Sequence, residues 1–200
     1  IDPLDIISQY GADALRFALL TGNSPGNDMR FSPEKIEAAR NFTNKIWNAS
    51  RFALMNIPET LEDTALPKEE DMRIEDKWIL SKLNTLVKEV TENIEKYELG
   101  VALAKLYDFI WNNFCDWYIE VLKPRFADDC ENACRVLSYV LRTSMELLHP
   151  YMPFITETIW QALPHDGESI VVTDYPEYTE AFNFPNEERS MERLISAIRA

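Results

Sequence analysis

Three asparagines in the segment RNFTNKIWNASRF, residues 40 to 52, stand among positive charges and aromatic rings. Asn41, Asn44 and Asn48 carry amides that offer paired hydrogen-bond donors and acceptors, and such groups pair with the edges of nucleic-acid bases. Arginine and lysine side chains neutralise phosphates, and aromatic rings stack on unpaired bases at roughly 1 to 3 kcal/mol per base. These residue types together are typical of contact with a single-stranded RNA loop.

A helical wheel separates the polar residues of this segment from the apolar ones. At about 100° per residue, the polar residues and Phe52 fall within an arc of roughly 140°. The opposite face, which we expect to pack in the core, carries Ala39, Phe42, Ile46, Ala49 and Ala53. We predict an RNA-contacting surface formed by Arg40, Asn44, Lys45, Asn48, Arg51 and Phe52. The competing interpretation is a protein-docking face, in which the asparagines bridge to neighbouring helices and the cations stay solvated.

The distribution of charge favours a local site over general polyanion binding. The 200 residues carry a formal net charge of -14, which argues against DNA as a partner. Residues 29 to 52 nevertheless contain five cations and two acids, whereas residues 57 to 76 contain eight acids and two cations. Because charges are largely screened beyond about 8 to 10 Å at physiological salt, the basic helix can still attract RNA.

The remaining composition excludes several classes of protein. No apolar run approaches the roughly 20 residues that span a bilayer, so we expect no membrane partner. The odd number of cysteines, three, favours a reducing compartment, and we predict a cytoplasmic protein.

Catalytic and metal-binding motifs are missing from the sequence. It contains no phosphate-binding loop, no HExxH and no GxSxG pattern. Cys130 and Cys134 share a helical face but lack the further ligands of a zinc site, and His149 is expected to bond terminal carbonyls at a helix end. Asp116 and Glu120 are four residues apart on an aromatic helix, where we expect them to form ion pairs. We therefore predict no catalytic and no metal-binding residues in this chain.

Apolar periodicity of about 3.6 residues and only five glycines predict an all-α chain, in which short connectors favour an up-and-down antiparallel helix bundle. Caps and breakers place a short helix from Pro3, a second one ending at Gly22, and a long one from Pro33 to about Met55. Further helices are predicted over residues 73–97, 101–123, 128–148, from 153 and from about 186 onward. The β-branched residues near 168–176 predict one short strand.

Four strings resemble the C-terminal third of class I aminoacyl-tRNA synthetases. They are YGADALRFALLTGNSPGNDMRF at 10 to 31, RNFTNKIWNASRF at 40 to 52, YDFIWNNFCDWYIE at 107 to 120 and HPYMPFITETIW at 149 to 160. The forms TGNSPGNDMRF and NKIWNASRF are most similar to the bacterial valyl-tRNA synthetase family. The isoleucyl and leucyl families are the alternative, since the fourth string does not separate the three.

The resemblance implies a division of the chain into three parts. Residues 1–32 would be a stem-contact segment that follows the catalytic core, and residues 33–165 an anticodon-binding helical bundle. Residues 166–200 would be a connector toward a C-terminal coiled-coil arm. In the loop of the first part, the residues expected to contact tRNA or the core are Asn23, Asn27, Asp28 and Arg30.

The resemblance also implies partners and cofactors. The partners would be tRNA(Val) and the catalytic domain of the same polypeptide. The full-length enzyme would charge tRNA(Val) with valine, using ATP and Mg, and would edit mischarged threonyl-tRNA. This segment would bind the anticodon loop and hold no cofactor itself.

Overall fold

The structure is a computed structural model that describes residues 2–22, 32–58, 61 and 65–199. Over these ranges the chain is helical and has no strand, which confirms the all-α prediction. The α-helices are α1 (Pro3–Tyr10), α2 (Ala12–Leu20), α3 (Pro33–Asn56), α4 (Ile74–Glu95), α5 (Leu99–Asp108), α6 (Ile119–Leu122), α7 (Cys130–Leu148), α8 (Pro153–Trp160) and α9 (Pro185–Arg199). No helix in the described ranges has the length and apolar character needed to cross a membrane.

The predicted capping residues begin the first and third helices. The Asp2 side chain accepts a hydrogen bond from the Leu4 backbone N–H at 2.9 Å, and the Ser32 hydroxyl accepts one from Lys35 N–H at 3.4 Å. A proline follows each cap at the first helical position, where its missing N–H costs nothing. α3 accordingly runs from Pro33 to Asn56, within one residue of the predicted end.

The core of the bundle is built around large aromatic side chains. Trp78 of α4 and Trp160 of α8 are each 1% exposed. Tyr118, which lies between them in the sequence, is fully buried. Side chains of α3, α5 and α7 complete the same apolar cluster. Burial of such aromatic residues supplies much of the hydrophobic driving force for folding, so the bundle holds α3 and its neighbours in fixed positions.

The helix predicted over residues 101–123 is divided into segments of different geometry. After α5, residues Phe109–Tyr118 form a π-helical segment, and a 3-10 turn at Lys123–Ala127 follows α6. A π-helix bonds each N–H to the carbonyl five residues earlier. Side chains on this segment therefore do not follow a wheel drawn for an α-helix. Pro124 lies in the 3-10 turn, where the predicted end of the helix occurs.

The strand predicted near 168–176 was wrong. Residues Ile170–Val172 form one 3-10 turn, and the Ser169 hydroxyl accepts a hydrogen bond from Val171 N–H at 3.3 Å. Ile170 alone is buried, while Val171 and Val172 are 68% and 73% exposed. A single β-branched run gains stability as a strand only by pairing, and the described part of the chain offers it no second strand.

The C-terminal segment packs against α4. The Asn84 side chain donates to the Thr179 carbonyl at 2.8 Å and accepts from Thr179 N–H at 3.0 Å. The Ser81 hydroxyl accepts from Phe184 N–H at 2.9 Å, and Met191 of α9 is buried. The predicted domain boundaries at residues 32 and 165 remain predictions.

Candidate nucleic-acid interface

The two faces of α3 are divided as the helical wheel predicts. Phe42, Ile46 and Ala53 are at most 1% exposed, whereas Arg40, Asn44, Asn48 and Arg51 are exposed and Lys45 and Phe52 are half-buried. One assignment to the core was wrong, because Ala49 is only half-buried and lines a surface groove. Ser50 takes a buried position instead.

A groove of about 450 Å³ separates α3 from the chain that runs from the π-helical segment to the 3-10 turn. Four of the six predicted contact residues, Asn44, Lys45, Asn48 and Phe52, line it. The other residues that line the groove are Asn41, Ala49, Cys115, Ile119, Glu120 and Lys123. The groove therefore has an amide-rich wall on α3 and a second wall that the sequence did not indicate.

Lys45 is held in place by a carboxylate and an aromatic ring. Its Nζ lies 2.5 Å from Asp116 Oδ1 and 4.0 Å from the centroid of the Trp111 ring. Both partners belong to the π-helical segment. The ammonium of Lys45 is thus neutralised by Asp116 and lies over a ring of the opposite wall.

Lys123 has a similar environment at the other end of the groove. Its Nζ lies 2.7 Å from the carboxylate oxygens of Glu120 and 5.7 Å from the Phe52 ring centroid. Phe52 in turn contacts Phe126, with a distance of 6.0 Å between ring centroids. The predicted ion pairing of Asp116 and Glu120 is confirmed, and these pairs leave the charges of the groove wall balanced.

Arg40 and Arg51 lie on the exposed face of α3, outside the lining of the groove. Over the described part of the chain, neither guanidinium forms an ion pair and the amides of Asn44 and Asn48 form no hydrogen bond. A free guanidinium can bind phosphate in a bidentate manner, and a free amide retains its full donor and acceptor capacity. The structure therefore leaves the hydrogen-bonding groups of this face available to a ligand.

Four residues of the second wall, Cys115, Ile119, Glu120 and Lys123, were not predicted as site residues. Asn41 was placed on the polar arc but not among the contact residues, and it also lines the groove. Burial raises the pKa of Cys115 to about 12, which keeps this thiol protonated at neutral pH. The groove thus offers amides, a ring and a neutral thiol, and no nucleophile.

The other sequence hypotheses have mixed outcomes. The loop residues predicted to contact tRNA or the core lie outside the described residues. They are Asn23, Asn27, Asp28 and Arg30. The Sγ atoms of Cys130 and Cys134 lie 3.5 Å apart as free thiols on one face of α7. His149 does not bond terminal carbonyls, because its Nδ1 lies 2.8 Å from the Thr156 hydroxyl. The described residues contain no group of three or more metal-ligating side chains.

The family model and the relatives that match this chain are all tRNA ligases. Residues 76–200 match the model of the family described as anticodon-binding domain of tRNA ligase. The valine–tRNA ligases of Clostridium perfringens and Clostridium acetobutylicum are 53% and 52% identical to this chain over its full length. The chain spans only 23% of the length of these relatives.

Two solved structures share the fold. The LeuRS in a ternary complex with tRNA and LeuAMS from Agrobacterium radiobacter K84 covers 92% of this chain with a TM-score of 0.72 and 18% identity, over 22% of its own length. Free methionyl-tRNA synthetase from Mycobacterium tuberculosis covers 90% with a TM-score of 0.62 and 19% identity, over 41% of its own length.

The matched family model includes the second wall of the groove, while α3 precedes it. The alignment with the valine–tRNA ligases extends over both walls, because it covers the entire chain. The resemblance that the sequence motifs indicated is thereby confirmed. The chain belongs to the family of anticodon-binding domains of tRNA ligases.

Proposed function

We propose that this chain is the anticodon-binding part of a longer valine–tRNA ligase, and that the groove beside α3 binds the anticodon loop of tRNA(Val). The observation that carries the proposal is the groove itself, in which unpaired amides of Asn44 and Asn48 lie beside the Phe52 ring. Relatives at 53% and 52% identity bear the name valine–tRNA ligase, which favours the valyl enzyme over the leucyl and isoleucyl alternatives.

The charges of the groove favour an unpaired base over a phosphate group. A phosphate bound there would have to displace Asp116 from Lys45 or Glu120 from Lys123. A neutral base meets no such competition, since it can stack on Phe52 and bond to the amides. The phosphates of the loop would then lie on the exposed face, where Arg40 and Arg51 are free.

The rest of the proposed enzyme lies outside this chain. Because the chain spans 23% of its relatives, we assign the catalytic domain, with its ATP, Mg and valine sites, to other parts of the same polypeptide. The same holds for the editing of mischarged threonyl-tRNA. In this arrangement the chain fixes the position of tRNA(Val) and takes no part in bond making. We further propose that the protein works in the cytoplasm.

The experiment compares three variants of the full-length enzyme: Arg51→Ala, Asn48→Ala and the control Arg193→Ala. Arg193 is an exposed arginine on α9, away from the groove. Arg51→Ala and Asn48→Ala should raise the dissociation constant for tRNA(Val) at least fivefold and leave valine-dependent ATP–pyrophosphate exchange within twofold of the parent. Arg193→Ala should leave both unchanged.

The salt dependence of tRNA binding tests the role given to the arginines. Each single-strand phosphate contact contributes about -0.7 to the slope of log K against log salt. Arg51→Ala should therefore make the slope less steep by about 0.7, whereas Asn48→Ala should leave it unchanged. Unaltered tRNA affinity in both variants would refute the groove as the binding site and favour the protein-docking interpretation.

A further inference from the structure

Two side chains of α2 join the N-terminal helices to the turn between α7 and α8. Asp13 accepts hydrogen bonds from the backbone N–H groups of Phe154, at 3.3 Å, and Ile155, at 2.7 Å. Arg16 donates from Nε to the Tyr151 carbonyl at 3.1 Å and from Nη2 to the Pro150 carbonyl at 2.9 Å. We call Asp13 and Arg16 together the latch.

The latch complements the backbone charges of the turn. The N–H groups in the first turn of a helix lack partners within the helix and carry partial positive charge. Asp13, which is only 6% exposed, supplies the missing acceptors at the start of α8. Arg16 supplies positive donors to carbonyls just beyond the end of α7. Four hydrogen bonds therefore fix both the position and the rotation of α2 against this turn.

A chain of aromatic rings connects the same helix to the groove. The Phe17 ring of α2 lies 5.1 Å from the Phe42 ring of α3, and Phe42 lies 6.3 Å from Trp111, centroid to centroid. Trp111 is the ring on which Lys45 rests. Asp13 and Phe17 are four residues apart on α2 and therefore lie on the same face of this helix. The orientation of α2 is thus tied both to the turn and, through the rings, to the groove walls.

We propose that Asp13 and Arg16 are positioning residues, which hold α1 and α2 at a fixed orientation to the groove so that tRNA bound there presents its acceptor end to the catalytic domain. This inference rests on the proposed function, together with the expectation that residues 1–32 follow the catalytic core in the same polypeptide. In this role Asp13 and Arg16 act through the placement of α1 and α2. Its effect is expected in the transfer step, because small errors of placement strongly reduce rates.

The test uses the full-length enzyme with Arg16→Met, Arg16→Lys and the control Arg193→Met. Arg16 is exposed, so its replacement should leave the bundle folded. Arg16→Met should lower kcat for aminoacylation of tRNA(Val) about tenfold to a hundredfold, as a displacement on the order of 1 Å does. The dissociation constant for tRNA and the ATP–pyrophosphate exchange rate should stay within twofold. Arg16→Lys keeps a donor and should recover part of kcat.

The outcomes separate this inference from the proposed function. An unchanged kcat for aminoacylation in Arg16→Met would overturn the positioning role of Arg16. A fall in the ATP–pyrophosphate exchange rate equal to the fall in kcat would overturn it as well. Asp13→Asn provides a second measurement, because it removes one strong acceptor and should reproduce the kcat effect with unchanged tRNA affinity. Failure of the groove itself would appear as an unchanged tRNA affinity in Asn48→Ala, whatever the latch variants do.

Discussion

Replacing Arg125 with methionine should destabilise the bundle by about 3 to 5 kcal/mol, the usual cost of removing one partner from a buried ion pair. Arg125 is 3% exposed and lies in the 3-10 turn that carries Lys123 into the groove. Its Nη1 lies 2.6 Å from Asp76 Oδ1 and 3.1 Å from Glu75 Oε1. Its Nη2 lies 2.7 Å from Asp129 Oδ2.

The magnitude follows from the burial of the carboxylates that the variant would leave unpaired. Asp76 is completely buried and Glu75 is 8% exposed. Burial raises the pKa of Asp76 even with Arg125 beside it, although the guanidinium opposes this shift. Without Arg125 the cost of burying the charge is no longer offset. With a urea m-value of about 2 to 3 kcal/mol/M for a chain of this size, the unfolding midpoint should fall by about 1 to 2.5 M.

The effect should also depend on pH. In Arg125→Met the folded-state pKa of Asp76 rises further above the unfolded value of about 3.9. The folded state then binds more protons than the unfolded state, so the free energy of unfolding falls as pH rises through this window. The variant should therefore recover part of its lost stability when the pH is lowered from 7 to 5.

Urea titration followed by tryptophan fluorescence measures these midpoints. Arg193→Met is the matched control, because Arg193 is exposed and such surface changes stay within about 0.5 kcal/mol. The double variant Asp76→Leu/Arg125→Met should regain part of the loss, since it removes the most deeply buried of the carboxylates that lose Arg125, while Glu75 and Asp129 remain. A midpoint shift under about 0.3 M for Arg125→Met, or a double variant no more stable than the single one, would refute this account.

Two further predictions concern other buried ionisable groups. Burial raises the pKa of Cys115 to about 12. Iodoacetamide at pH 8 should therefore alkylate Cys115 on the order of a thousandfold more slowly than a free thiol of pKa about 8.5. Mass spectrometry would measure the alkylation rate, and a rate equal to that of a free thiol would contradict the raised pKa. Burial also raises the pKa of Glu146, which accepts a hydrogen bond from Trp160 Nε1 at 3.2 Å. Its folded-state pKa then exceeds the unfolded value of about 4.3, and stability falls as pH rises through this window. Glu146→Gln keeps the acceptor and should show a smaller fall in urea midpoint from pH 4.5 to 7; an unchanged pH dependence would exclude this residue as the cause.

The sequence predicted the helices well because their ends depend on local chemistry. Ser32 and Pro33 mark the start of α3 whatever its neighbours are, and the alternation of apolar and polar residues fixes which face is buried. The arc containing Asn44 and Asn48 was therefore placed on the surface correctly. These features need only the residues within one or two helical turns.

The second wall of the groove could not be predicted in the same way. Lys123 reaches Phe52 only because the chain changes from α-helix to π-helix and then to a 3-10 turn. A π-helical segment is rare, and the local pattern of apolar residues does not distinguish it from an α-helix. The burial of Asp76 could likewise not be predicted from the local pattern, because its partner Arg125 lies 49 residues further along the chain.

If the groove binds RNA as proposed, its balanced charges explain how an acidic chain can do so selectively. With a net charge of -14, the chain gains little from long-range attraction to polyanions. Lys45 and Lys123 are already paired with carboxylates, so a phosphate gains little from either cation. Binding must then come from contacts with bases, which an RNA duplex buries in its stacked interior. The groove is consequently suited to an open loop whose bases point outward, and the two free arginines of α3 only add affinity once that loop is in place.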